Sequence, residues 1–133
     1  MSENLDLVRS IYAAWERGDW TSTEWADSEI EFVIPDGPDA FSSTGAARMA
    51  ELWREYLSAW EGYRIEADEI RELDDERVLV LSHYSGSGKA SGVELARMSA
   101  LAAQVFYFRD GKVSRMLGYN DRTHALADLG LEE

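Results

Sequence analysis

The chain has 133 residues, 45% of them hydrophobic and 29% charged, a globular mixture in a length that fits one domain with a sizeable core. Its formal net charge of −13 argues against nucleic acid and against an anionic membrane surface as partners, because both require a positive protein face. Cysteine is absent, which excludes disulfides, thiol nucleophiles and thiolate metal sites.

The first predicted element is a helix over residues 4 to 17. Leu5, Val8, Tyr12 and Trp15 recur at helical spacing, with Leu7, Ile11 and Ala14 widening the same face. Asn4 is the expected cap and Gly18 the stop. A short helical turn is expected over residues 21 to 26. A strand is expected over residues 29 to 34, where Ile30, Phe32 and Ile34 alternate with Glu29, Glu31 and Val33. It ends at Pro35-Asp36-Gly37-Pro38, since proline cannot continue a ladder and glycine permits a sharp turn.

Residues 45 to 61 carry the strongest helical pattern: Met49, Leu52, Trp53, Tyr56, Leu57 and Trp60 share one stripe. Thr44 is the expected N-cap and Gly62 the expected C-terminal stop. Strands follow at 63 to 73 and 76 to 85 around Asp74-Asp75, then at 92 to 108 and 112 to 120 around the hairpin signal Asp110-Gly111. Asp121 caps a last short helix that ends at Gly130. Helices first and hairpins later indicate an α+β fold, in one domain over residues 1 to 133.

No apolar run is long enough to span a membrane, and MSENLDLVRS carries no export signal, so a cytoplasmic location is expected. The segment GSGK at 86 to 89 looks like part of a phosphate loop. The Walker pattern fails, because His83 stands where the first glycine is required and Ala90 where a Ser or Thr is required. The following residues are also strand-like, whereas a phosphate loop opens a helix. Gly86, Gly88 and Gly92 read as turn residues.

Several phrases together resemble the NTF2-like superfamily, and within it the SnoaL-like group. They are YAAWERGDW (12–20), EIEFVIPDGP (29–38), TGAARMAELWREYLSAWEGYRIEADEI (44–70), GSGKASGVEL (86–95), VFYFRDGKVSRM (105–116) and YNDRTHALADLGL (119–131). The resemblance implies a strongly curved mixed or antiparallel sheet wrapped around the N-terminal helices as a cone with one mostly apolar pocket. It also implies a homodimer through the outer face of the sheet. It does not fix an activity, because the superfamily includes isomerases, cyclases, hydrolases, dehydratases and binding domains.

Carrying over the ketosteroid isomerase pattern within that superfamily fails at each position. The catalytic tyrosine falls at Ile11, one step from Tyr12. The base before proline falls at Ile34, and the second acid falls at Gln104. That mechanism is therefore rejected. SnoaL-like cyclases use an acid-base residue in the same cavity, and His83 is the candidate here. Strand alternation groups it with Leu79 and Leu81, on a face expected to look inward. The plainer alternative is a histidine near a strand end that bonds to backbone or water.

The expected pocket residues are Tyr12, Trp15, Phe32, Ile34, Trp53, Leu57, Gln104, Phe106 and Asn120, with Tyr119 facing the other way. The alternative for the rings is ordinary core, and for Gln104 a structural hydrogen bond. Asp36 and Asp39 are expected as turn residues and His124 as a surface residue. No metal-ligand spacing is present and no cofactor is expected. The expected partner is a small apolar or aromatic molecule, bound for isomerase-, cyclase- or hydrolase-type acid-base chemistry. The alternative is a non-catalytic ligand-binding or dimerisation module.

Overall fold

The computed structural model describes residues 3–19, 24–35, 41–58, 60–88 and 98–131. The elements in chain order are α1 (Glu3–Glu16), β1 (Ala26–Ile34), β2 (Phe41–Thr44), α2 (Ala46–Ser58), β3 (Trp60–Asp74), β4 (Arg77–Gly88), β5 (Met98–Arg109), β6 (Lys112–Tyr119) and α3 (Arg122–Asp128). The strands form one mixed sheet in the order β2-β1-β6-β5-β4-β3. β1 runs parallel to β6, and the other pairings are antiparallel. The fold is α+β, as the order of elements indicated. Register shifts at Glu61/Arg64, Ala67/Glu69 and Glu72/Asp74 interrupt the β3–β4 ladder, and such bulges bend a strand and increase its twist.

The helix stops follow glycine chemistry. Gly18 has φ +82°, and its N–H bonds the Trp15 carbonyl while that of Asp19 bonds Ala14. This is the Schellman closure that a left-handed residue permits. Gly130, at φ +70°, ends α3 in the same way, with Gly130 bonded to Ala127 and Leu131 to Leu126. At the other end of α3, Asp121 accepts from the Thr123 N–H at 2.9 Å, the expected cap. Asp110 and Gly111, both at positive φ, form the tight β5–β6 turn.

Four local expectations are corrected. Asn4 lies inside α1 and donates to the Asp75 carbonyl at 2.9 Å instead of capping. Thr44 closes β2, and the carbonyl of Gly45 accepts the first bond of α2 from Met49. α2 stops at Ser58, so Trp60 and Gly62 belong to β3. The short strand β2, which pairs Phe41 to Thr44 with Ile34 to Glu31, was not anticipated. Residues 21–23 of the turn expected at 21–26, and 36–38 of the loop expected at 35–38, lie outside the described residues, as does Asp39; Ala26 opens β1.

The sheet has two buried faces. On the inner face Val78, Val80, Phe106, Phe108, Val113 and Met116 pack against Val8, Ile11, Tyr12 and Trp15 of α1 and Met49 and Trp53 of α2. On the outer face Leu79, Leu81, Ala103, Val105 and Leu117 pack beneath Ala125 and Leu126 of α3. A strand covered on both faces is apolar throughout, not alternating, which explains the run Val78-Leu79-Val80-Leu81. Truncating a fully buried ring such as Phe106 to alanine would cost about 3–5 kcal/mol.

Candidate functional site

A cavity of about 300 Å³ opens between the two long helices and the inner face of the sheet. α1 contributes Trp15, and α2 contributes Leu52, Trp53, Tyr56 and Leu57. β1 supplies Phe32 and Ile34, and β3 and β4 supply Tyr63, Ile65 and Tyr84. The far end is closed by β5 and β6 through Ala102, Gln104, Met116 and Gly118, with Tyr119 and Asn120 beside them. Tyr56 is 44% exposed and Asn120 is also exposed, which puts both toward the opening.

The rings are set at steep angles. Trp15 and Phe32 each stand nearly perpendicular to Trp53, at 85° and 86°, while Trp25 stacks behind it at 26°. Tyr56 meets Tyr63 at 87°, and Tyr63 stacks on Tyr84 at 30°. Edge-to-face and offset pairs are the arrangements that the ring quadrupoles favour. Burial raises the pKa of the Tyr63 and Tyr56 phenols, because a phenolate would lose its hydration there.

Gln104 is the buried polar residue of the wall. Its side-chain oxygen accepts from the Tyr12 hydroxyl and, at 2.9 Å, from the Ser82 hydroxyl. Burial pushes the Tyr12 phenol well above its ordinary pKa, so it remains a proton donor. Two buried hydroxyl protons thus fix which way the amide faces. They occupy the oxygen and leave the N–H₂ as the polar group that Gln104 offers to the cavity.

The structure brings Trp15, Phe32, Ile34, Trp53, Leu57, Gln104 and Asn120 around this one cavity. Two expected members stand behind its wall. Tyr12 reaches it only through Gln104, and Phe106 is fully buried against Tyr12. Tyr119 borders the cavity although it was expected to face away, while its hydroxyl donates to Asp128 at 3.1 Å on the α3 side. His83 does not line the cavity. Alternation groups it correctly with Leu79 and Leu81, but that face is the outer one.

There the His83 ring lies with Nδ1 2.7 Å from Asp68 and Nε2 3.5 Å from Glu66. Arg122 donates to the other Asp68 oxygen at 2.8 Å and to the Ser82 carbonyl at 2.6 Å. Burial alone would raise the Asp68 pKa, but the bonds from Arg122 and His83 outweigh it and hold the carboxyl below its usual range. His124 is exposed, 3.4 Å from Asp128. Tyr63 and Tyr84 were missed as lining residues. The available signal was their position on strands flanking an aromatic helix, but without the register neither could be assigned a face.

Among the described residues no group of His, Asp and Glu could hold a metal ion, and no helix is long and apolar enough to cross a membrane.

Two helices under a bent six-stranded sheet, with a ring-lined cavity between them, are the cone of the NTF2-like fold. An NTF2-like protein from Burkholderia thailandensis superposes with a TM-score of 0.79 at 22% identity, over 99% of this chain and 100% of that one. A phenazine biosynthesis-related protein from Pseudomonas aeruginosa gives 0.77 at 15% identity, over 98% and 87%. TerC co-crystallised with polyporic acid gives 0.74 at 22%, over 96% and 98%. The profile of the SnoaL-like domain matches residues 8–116, and the chain belongs to that family. No curated protein matches it.

Proposed function

We propose that the cavity takes a small, largely apolar molecule built on rings, of polyketide type, and holds one of its oxygens on the Gln104 amide. The observation that carries this reading is the lining. Seven of its sixteen described residues are aromatic, and the buried Gln104 has its oxygen already engaged. Concave, mostly apolar sites with a few placed polar groups are the usual form of small-molecule sites. The co-crystallisation of TerC with polyporic acid and a second neighbour's relation to phenazine biosynthesis agree with a ring-bearing occupant.

Binding without chemistry is favoured over acid-base catalysis by one observation. The described lining contains no His, Asp or Glu, and His83 is engaged with carboxylates on the opposite face of the sheet. The experiment is extraction and mass spectrometry of co-purified compounds, followed by titration of 2-naphthol against tryptophan fluorescence. Saturable quenching that is weakened by Gln104→Leu and unchanged by His83→Ala is expected. A His83→Ala variant that loses turnover of an identified substrate while still binding it would restore the catalytic role. Absence of any saturable binding would remove the cavity reading itself.

A second copy of the chain on the outer sheet face is part of the same proposal. Leu101 is 58% exposed there and stands opposite His83 in the β4–β5 register. Mass measurement in solution tests it, with a dimer expected for the native chain and a weaker one for Leu101→Lys. A strict monomer at all concentrations would argue against it.

A further inference from the structure

Gln104 is the point at which the inner wall of the cavity stops being apolar. It is only 6% exposed, yet it lines the cavity. Its oxygen accepts from the hydroxyls of Tyr12 and Ser82, which are 1% and 0% exposed. Its nitrogen donates to no described group. Among the described residues the only buried side-chain nitrogen or oxygen without a partner is Ser43 Oγ, so the Gln104 nitrogen is not sealed in the core. It opens to the cavity, as an N–H₂ with no acceptor of its own.

The two hydroxyls keep the amide from turning over. An amide presents an acceptor at one corner and donors at the other. With the nitrogen turned toward Tyr12 and Ser82, both hydroxyl protons would be left in the core without an acceptor, which is strongly unfavourable. The neighbours of Gln104 on the same face are apolar: Val80 opposite it on β4, Gly118 opposite it on β6, and Ala102 and Phe106 two positions away on β5. Asn120 lies toward the opening. This end of the cavity is therefore a fixed donor whose neighbouring side chains carry no acceptor.

A ligand oxygen meets that donor on terms set by its own protons. A carbonyl oxygen only accepts, and the amide N–H satisfies it. A hydroxyl oxygen accepts the same bond but brings a proton that finds no acceptor there, which costs affinity. We infer that the cavity selects a ring-borne carbonyl, as in an aryl ketone or a quinone, over the corresponding alcohol or phenol, and that Tyr12 and Ser82 set this choice from behind the wall as positioning residues that never touch the ligand. This rests on the reading that Gln104 holds a ligand oxygen, and adds which kind of oxygen it holds.

The test compares 1-indanone with both enantiomers of 1-indanol, which share ring, size and oxygen position and differ from the ketone by two hydrogens. Each is titrated into the full chain by calorimetry. The ketone is expected to bind roughly tenfold more tightly than either alcohol, the range of one unpaired buried hydroxyl proton. Difference infrared spectroscopy should place the bound 1-indanone carbonyl stretch below its value in hexane, as hydrogen bonding requires, and Gln104→Leu should return it toward that value. Tyr12→Phe combined with Ser82→Ala removes both hydroxyls at nearly constant volume. The amide can then turn its oxygen to the cavity and accept from 1-indanol, so the two affinities should come within about twofold of each other.

A native chain that binds ketone and alcohol equally, or the alcohol more tightly, overturns the inference; if Gln104→Leu still weakens both, the reading of Gln104 as the polar contact stands. A double variant that weakens both probes alike and keeps the native ratio overturns the positioning role, since a purely structural role of the hydroxyls would do just that. Binding of neither probe overturns the inference and the cavity reading together. Should the double variant fail to fold by circular dichroism, Tyr12→Phe or Ser82→Ala alone must lower the ratio, and an unchanged ratio in both overturns the positioning role.

Discussion

The hydroxyl of Tyr12, on the first helix, donates to the side-chain oxygen of Gln104, ninety-two positions later on β5. The bond joins the helical layer to the sheet directly behind the cavity wall. Replacing Gln104 by leucine keeps the volume but strands the Tyr12 and Ser82 hydroxyls in the core. An unsatisfied buried donor costs about 1–3 kcal/mol. Gln104→Leu is therefore expected to lower unfolding free energy by about 2 kcal/mol, and Tyr12→Phe alone by about 1 kcal/mol. The double variant should recover part of the sum, because the phenylalanine leaves no donor to satisfy. Urea denaturation of the four proteins measures this cycle. Strict additivity would mean that the pair does not act as a unit.

The order of elements was legible because helical stripes and turn residues are local signals. Gly18, Asp110-Gly111, Asp121 and Gly130 each act within a few residues, and each acts in the structure as its chemistry requires. The face of each strand was not legible in the same way. His83, Leu81 and Leu79 do share a face, but β4 is covered on both sides, so alternation alone could not say which side is inner. The outer covering comes from α3, a seven-residue helix whose docking is a long-range fact. The same limit hid Tyr63 and Tyr84, and it placed Phe106 on the cavity surface when it lies one layer deeper. Gly62 misled because a glycine after an aromatic stripe resembles a helix stop, whereas here it lies in a strand next to a register shift.

The buried phenols predict a sensitivity to alkali. Tyr12 and Tyr63 have folded-state pKa values raised from 10.0, chiefly by burial. Above about pH 10 the unfolded chain loses these protons while the folded chain keeps them. Their contribution is fully present below the unfolded pKa and is lost as pH rises toward the folded one. Stability should fall above pH 10 by about 1.4 kcal/mol per pH unit for each such tyrosine. Urea midpoints measured from neutral to alkaline pH, with tyrosine absorbance followed in parallel, test this. Tyr12→Phe should reduce the slope, and an unchanged slope would contradict the assignment.

Arg122 fastens α3 to the outer face. Its side chain is 16% exposed and donates to Asp68 at 2.8 Å and to the Ser82 carbonyl at 2.6 Å. Arg122→Met is expected to cost about 1–2 kcal/mol, mainly through the lost charge-assisted bonds. Asp68→Asn should cost less than about 1 kcal/mol, because the carboxylate is 38% exposed and solvent screens the pair. The sign of its pH dependence follows from the depressed Asp68 pKa. Its contribution is present above the unfolded value of about 3.8 and disappears as pH falls through the lower folded value. Acid denaturation should therefore separate native protein from Asp68→Asn above about pH 4, with the difference shrinking progressively as pH falls below that.

Gly118 marks where the cavity can be reduced without dismantling the core. It pairs with Gln104 across β5–β6 and lines the cavity. A Cβ built there would stand 3.0 Å from Cδ1 of Ile34 and 3.8 Å from Cε1 of Phe32. The nearer atom is the end of a flexible side chain, so Ile34 can turn aside and take up cavity space as it does so. Gly118→Ala is expected to change stability by less than about 1.5 kcal/mol, an adjustment smaller than usual overpacking. Binding of 2-naphthol should weaken severalfold, because Phe32 and Ile34 both line the wall. Titration of the variant beside the native chain, with thermal melts as a control, gives the answer. A stable variant with unaltered affinity would show that the ligand does not reach this end of the cavity.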